Sequence, residues 1–376
     1  MNTYTLENAR ATDRAELLAF LLDAFRTNDP NHAAFDTLYP DLFDPTDEDM
    51  GRHRVIRDAA GRICACVGSY PMRVHVGPCV VDIFGIGQVS CSPQLRGGGR
   101  MTALLSDVCA QMDRSGAALA WLSGRRDRYS HFGWDVAGTN LRSSFDARSV
   151  GFPPPGWTVE HADLASSAAI ERISRLRALA AVREETTLAK WLARLARGGK
   201  TKRVFLASRA DSPAEAMCVM QPDDGADLLE WAGESDGIHA ILAHVLGAQK
   251  RASAVFAPPN IDPAANLFWN MADWSSADFG CFRILSLQSL LDAYAPLLAS
   301  RIPAGAAARL ALSDGDTARL GAASPDAPAL TLDRPLMARL IFGPLAPSAL
   351  IALPGELRWL DQVFPLPFLL PPSSHV

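Results

Sequence analysis

Apolar positions along this chain switch between two periods, and the switches mark its elements. Tyr4 to Ala9 reads as a strand, and Leu17, Leu18, Leu21 and Phe25 then recur on one face of a helix over residues 11–26. Arg52 to Arg57 and Ile63 to Val76 read as strands joined by the turn Asp58-Ala-Ala-Gly61, and Cys79 to Ser90 follows as another. Pro93 and three consecutive glycines, Gly97 to Gly99, interrupt the strand pattern. Met101, Leu104, Leu105, Val108 and Met112 then take helical spacing, so the prediction is strand, glycine loop, amphipathic helix. Ala117 to Leu122 is a short apolar run suited to a buried strand, followed by a polar run from Arg125 to Arg128.

Gly151-Phe-Pro-Pro-Pro-Gly156 can continue neither a helix nor a central strand, and it divides the chain. Beyond it the pattern repeats in outline. Trp157 to Asp163 reads as a strand, Ser167 to Arg197 as helical, Thr201 to Ser208 and Glu215 to Gln221 as a hairpin, and Asp227 to Gly233 as a further strand. A third region opens with a helix over 287–299. Strands at 308–313, 317–322 and 329–332, a helix over 334–342 and a proline-rich end follow.

The glycine loop carries the first chemical signal. Glycines at a helix start let backbone N–H groups converge on one spot, where the helix dipole favours an anion. Arg96 and Arg100 flank that spot and can add charged hydrogen bonds to a phosphate. Two phosphate loops are excluded, because neither the P-loop Gly-Lys-Ser/Thr nor the spaced Rossmann glycines stand here.

The stretch resembles motif A of the GNAT N-acetyltransferases, R/Q-x-x-G-x-G/A, with Arg96 and Gly99 in the first two fixed places. Met101 stands where most members carry the last glycine or alanine, a departure shared by the Eis-type (enhanced intracellular survival) subgroup. A second element agrees. Tyr129-Ser-His-Phe-Gly-Trp134 is similar to the Tyr-x-x-Phe-Gly-Tyr of Eis-type members, about 30 residues after the loop.

The resemblance implies a mixed α/β (α+β) fold in three parts. These are a catalytic GNAT domain over 1–146, a degenerate GNAT-like domain over 151–285 and a sterol-carrier-protein-like domain over 286–376. It implies acetyl-CoA held by Val89, Cys91, Arg96, Gly97, Gly98, Gly99, Met101, Thr102 and Ser123, with Tyr129 as the acid that protonates the departing thiolate. Its base is the chain's own terminal carboxylate, here that of Val376, and His375 is a second candidate because its ordinary pKa suits base work. Cys91 as an acyl-carrying nucleophile is the sharper alternative to direct transfer. In the second region, Ala232-Gly-Glu-Ser-Asp-Gly237 sets two carboxylates where a diphosphate would sit, so no cofactor is expected there.

Composition narrows the rest. With 376 residues, 48% of them hydrophobic, the chain has ample material for two or three domains. A net charge of −5 gives nucleic-acid binding no electrostatic support. Seven cysteines fit reduced thiols in a cytoplasmic protein, with Cys64 and Cys66 expected on one strand face and no metal site. Neither a signal peptide nor a membrane span is expected. The expected partner is an amine: a small polyamine or aminoglycoside-like molecule, or a protein amine. The resemblance adds a homo-oligomer. The contrasting expectation is a non-catalytic acetyltransferase scaffold whose C-terminal domain binds a lipid or a protein.

Overall fold

The computed structural model describes residues 4–200, 202–222 and 225–376, so the expected strand start at Thr201 lies outside the described residues. Among the described residues the strands form three sheets, and the architecture is the expected mixed α/β one. The first sheet runs, in spatial order, Thr5–Asn8, His53–Arg57, Ile63–Val76, Cys79–Cys91, Leu119–Leu122, Cys281–Ile284 and Asp135–Val136. Neighbours are antiparallel except Cys79–Cys91 and Leu119–Leu122, which are parallel. A parallel pair needs a crossover, and the helix Arg100–Asp113 supplies it.

The second sheet repeats that plan with Trp157–His161, Arg203–Arg209, Glu215–Pro222, Ala226–Gly233, Ala252–Phe256, Thr139–Phe145 and Trp274–Asp278. Its parallel pair, Ala226–Gly233 with Ala252–Phe256, is bridged by the helix Ser235–Leu246.

The sheets divide the chain differently from the expected regions. Thr139–Phe145, expected to finish the first region, pairs with Ala252–Phe256 and Trp274–Asp278 in the second sheet. Cys281–Ile284, expected in the second region, pairs with Leu119–Leu122 and Asp135–Val136 in the first. Both strands have the alternation any half-buried strand has, so the sequence holds no mark of which sheet receives them.

The helix expected over 167–197 is also interrupted. Ser167–Leu179 ends at Ala180, whose backbone is extended, and Leu188–Leu195 is a separate helix. Between them Val182–Glu184 pairs with Val74 to Val76. His53–Arg57 covers only residues 63–68 of that strand, which leaves the far half with an open edge. Pairing of edge N–H and C=O groups outweighs the helical propensity of an alanine-rich run.

The third region has a three-stranded sheet of Ala307–Leu312, Thr317–Gly321 and Ala329–Leu332 with the helix Leu287–Ala293 against it, while the helix Arg334–Phe342 packs on Cys281–Ile284 and Asp135–Val136 of the first sheet. The helix expected over 287–299 breaks at Tyr294, with Pro296 in the first turn of the second piece. Leu290, Tyr294, Met337 and Phe342 share one core with Val74, Cys79 and Val81 of the first sheet. The third region is therefore packed as a layer on the first sheet.

Cys64 and Cys66 do not share a face. Arg57 pairs with Ile63 and Ile56 with Ala65, so Cys64 is the extra residue of a bulge, and the two thiols enter different cores. Among the described residues no helix is long and apolar enough to cross a membrane.

Candidate functional site

Strand Cys79–Cys91 opens the site. Ser90 pairs with Cys66 and Gly87 with Gly68, so Gln88 and Val89 together stand opposite Val67, a second bulge. Gln88 has φ +50°, uncommon for a residue with a side chain. Its buried amide is fixed by the Tyr70 hydroxyl 2.5 Å away, which also lies 2.9 Å from His53 Nε2. From the bulge onward, Val89, Ser90 and Cys91 line a cleft of about 520 Å³.

Across the loop, Gly97 and Gly99 have φ +80° and +72°, and Gly99 is the residue from which the helix Arg100–Asp113 starts. Among the described residues no side chain caps that start, so its first N–H groups face outward without an internal acceptor. Arg100 folds back to donate 3.1 Å to the Leu95 carbonyl and holds the loop in shape. Arg96, Met101, Thr102 and Arg128 line the cleft with Val89, Cys91 and Tyr129.

The cleft exists because the first sheet splits. The parallel strands pair only at residues 83–85 with 119–121 and then diverge. Tyr129 stands against the second of them, where a Cβ on Gly124 would come 2.5 Å from its ring. Burial lifts its phenol above the ordinary tyrosine value, with the Arg128 charge partly opposing, so the group is a proton donor at neutral pH. Burial also pushes the Cys91 thiol up, against Arg100 and Arg96. That disfavours the thiolate a nucleophile would need.

The chain end reaches the same split from the opposite face. Gly85 and Gly87 leave a trough on the first strand, and Val376 occupies it. A Cβ on Gly85 would stand 2.7 Å from Val376 Cγ2, and one on Gly87 2.9 Å from the terminal carboxyl carbon. Val376 belongs to the core shared with the third region, Tyr129 to the core under the helix Arg100–Asp113. His375 is boxed against Trp121 and Phe279, ring centroids 4.7 and 5.9 Å away, and its Nε2 donates to the Leu370 carbonyl. Burial pushes its pKa down to about 4, so this imidazole is a neutral packing group enclosed away from the cleft lining.

The predicted residues thus divide. Val89, Cys91, Arg96, Met101, Thr102 and Tyr129 line one cleft. Gly97, Gly98 and Gly99 form an exposed loop at its rim. Ser123 is exposed and stands outside the lining residues. Sequence reasoning missed Phe25, Asn28, Arg128 and His131, which also line the cleft. It missed the Gly85-Ile-Gly87 trough as well, where two glycines two apart within a strand were a legible sign of close approach. Among the described residues no cluster of three His, Cys, Asp or Glu side chains could hold a metal.

Residues 5–137, which hold the split sheet and the glycine-started helix, match the family model described as Acetyltransferase (GNAT) domain. Solved structures share the fold over most of the chain. A GCN5-related N-acetyltransferase from Anabaena variabilis superposes with TM-score 0.68 at 16% identity, with 96% of each chain covered. One from Kribbella flavida gives 0.67 at 20% identity over 96% of this chain and 95% of that one. Eis1 from Mycobacterium abscessus gives 0.66 at 14% identity over 96% of each. At these identities the likeness is one of fold. No protein of curated function matches the sequence. The domain match, on a fold shared with N-acetyltransferases, supports an acyltransferase.

Proposed function

We propose that the protein transfers an acetyl group from acetyl-CoA directly to an amine. One observation carries this reading: a single cleft joins the glycine-started helix to the buried phenol of Tyr129. The residues fit the co-substrate. Gly97 and Gly99 have nothing within 4 Å of where a Cβ would stand, which leaves room for a diphosphate against the outward N–H groups. Arg96 and Arg128 line the cleft as cations for its phosphates. Backbone groups of Val89 and Cys91, at the bulge and just past it, serve the pantetheine arm and the thioester oxygen.

In the transfer, the amine nitrogen attacks the thioester carbon, the carbon–sulfur bond breaks, and acetyl passes to nitrogen. The amine proton goes to the terminal carboxylate of Val376, and Tyr129 gives its proton to the sulfur. Solvent then reprotonates the phenolate and takes the carboxyl proton. The carboxylate lies at Gly87, and the cleft begins two strand residues further on, about 6.6 Å at the usual rise. Two hydrogen bonds through one water span only about 6 Å, so a relay of two waters carries the proton across this gap.

The acceptor class is a small polyamine, an aminoglycoside-like amine or a protein amine. Glu234 and Asp236 at the start of the helix Ser235–Leu246 support a second GNAT-like unit that takes no acetyl-CoA. The shared core supports a structural role for residues 286–376, read as sterol-carrier-protein-like. Cytoplasmic location, read from the cysteine usage, and homo-oligomeric assembly, read by resemblance, complete the proposal. The test is release of free thiol from acetyl-CoA over a panel of these amines. Acetyl-CoA binding without thiol release for any amine would favour the non-catalytic scaffold instead.

A further inference from the structure

The second sheet splits as the first does, but something else fills it. Ala226–Gly233 pairs with Ala252–Phe256 only at residues 226–228 with 252–254. Leu369, Pro371 and Pro372 enter the gap beyond, against Glu230 and Trp231, and leave a void of about 10 Å³ there, while Pro372 also borders a larger cleft of about 610 Å³ beside Leu229 and Val255. We infer that the second sheet holds the chain's own end, and that Arg197 is a positioning residue for the Val376 carboxylate.

Every residue between that wedge and the terminus is tied. Ser373 Oγ donates to Glu230. Arg197 Nη1 donates to the Ser373 carbonyl at 3.0 Å and the His375 carbonyl at 2.5 Å. Arg194 Nη1 donates to Ser374 Oγ at 3.1 Å. Asp41, from the first unit, accepts from both arginines, with Arg197 Nε and Nη2 each 2.6 Å from its oxygens. Burial alone would raise the Asp41 carboxyl; the bonds and charges of Arg197 and Arg194 more than offset it and hold the group ionised.

Buried ion pairs are weak stabilisers, and apolar packing of equal volume often does as well. What apolar packing cannot do is supply donors to two main-chain carbonyls two residues apart. That fixes the direction of the last peptide units, and it is what sets Val376 over Gly85 and Gly87. The catalytic consequence rests on the carboxylate's proposed role as base.

The test uses the full-length protein with Arg197→Lys, Arg197→Met and a form lacking Val376. One readout is release of Val376 by carboxypeptidase Y, followed by mass spectrometry under native conditions. The other is thiol release from acetyl-CoA with the panel amine that supports the fastest turnover. Release of Val376 should quicken at least tenfold in both Arg197 variants, with unchanged near-UV circular dichroism. Turnover should fall at least tenfold at constant KM for acetyl-CoA, and Arg197→Lys should lose no further activity in the form lacking Val376. Unaltered release in the variants, or losses that multiply with the deletion, would overturn the inference. Full turnover without Val376 would instead overturn the carboxylate's role as base, while the release rates still decide the positioning. Should Arg197→Met fail to fold, Arg197→Lys alone carries the same comparison.

Discussion

The terminal carboxyl carbon of Val376 lies so close over Gly87 that a methyl group there would come within 2.9 Å of it. The obstacle is the main chain of the last residue, so the end of the chain must shift to make room. Gly87→Ala should therefore leave acetyl-CoA affinity within about twofold and lower kcat at least tenfold. Overpacking should cost about 1–3 kcal/mol of stability. Calorimetric titration with acetyl-CoA beside steady-state kinetics would check the split; equal losses in both would mean that the strand itself had moved.

Gly99 is constrained by its backbone, since open space surrounds the place of a side chain while its φ is +72°. Gly99→Ala should weaken acetyl-CoA binding about tenfold, consistent with the 1–2 kcal/mol that a left-handed conformation costs. Gly99→Asn, which tolerates that conformation, should lose less, and Gly99→Asp should abolish binding by setting a carboxylate against the diphosphate. Affinities in the order Gly, Asn, Ala, Asp are the expected result. An aspartate variant that binds normally would remove the loop from the site.

Tyr129→Phe keeps the ring against Gly124 and removes only the proton. kcat should fall by roughly 10²–10⁴, the span for one acid–base group, with acetyl-CoA affinity nearly constant. Because burial raises the phenol's pKa, wild-type turnover should show no loss assignable to this group until pH passes 10. A falling alkaline limb near pH 8 that persists in Tyr129→Phe would belong to another residue.

Two buried imidazoles make stability depend on acid. Burial holds His53 and His375 neutral, each with its pKa pushed down from 6.5 to about 4. Between those values the unfolded chain binds protons that the folded chain does not, so stability falls as pH drops through 6.5 and continues to fall until about 4. Each shift amounts to roughly 3 kcal/mol. The melting temperature should fall by several degrees from pH 7.5 to pH 5, and less steeply in His375→Phe, which keeps a ring against Trp121. Parallel curves would show that His375 does not contribute.

Residues appended after Val376 have no room in the trough over Gly85 and Gly87, where the terminal residue is 9% exposed. A C-terminal tag should lower turnover at least tenfold, and cleaving it back to Val376 should restore it. Equal activity in both forms at equal melting temperature would show that the terminus takes no part.

Local signals were legible where local chemistry decides. Ile63–Val76 and Arg334–Phe342 run as their alternation and helical spacing predict, and the glycine loop starts its helix as read. Pairings between distant segments were not legible. Nothing in Val182–Glu184 says that it will cover the edge beside Val74, and nothing in Thr139–Phe145 says which sheet it joins. The site shows the same division. The cleft residues clustered in sequence around Gly99 and Tyr129, whereas Asp41, Arg197 and the last residues meet only in the fold, with 156 positions between the first two.

The strands Thr139–Phe145 and Cys281–Ile284 each leave the half of the chain that precedes them and complete the other sheet. The two units are therefore clasped like a pair of hooked fingers. Cutting the chain near residue 146 would not free a domain; it would take an interior strand from each sheet and leave each strand an orphan on the wrong piece. Neither unit could then be discarded by simple truncation. Such a link favours melting as one cooperative body, with neither half outlasting the other.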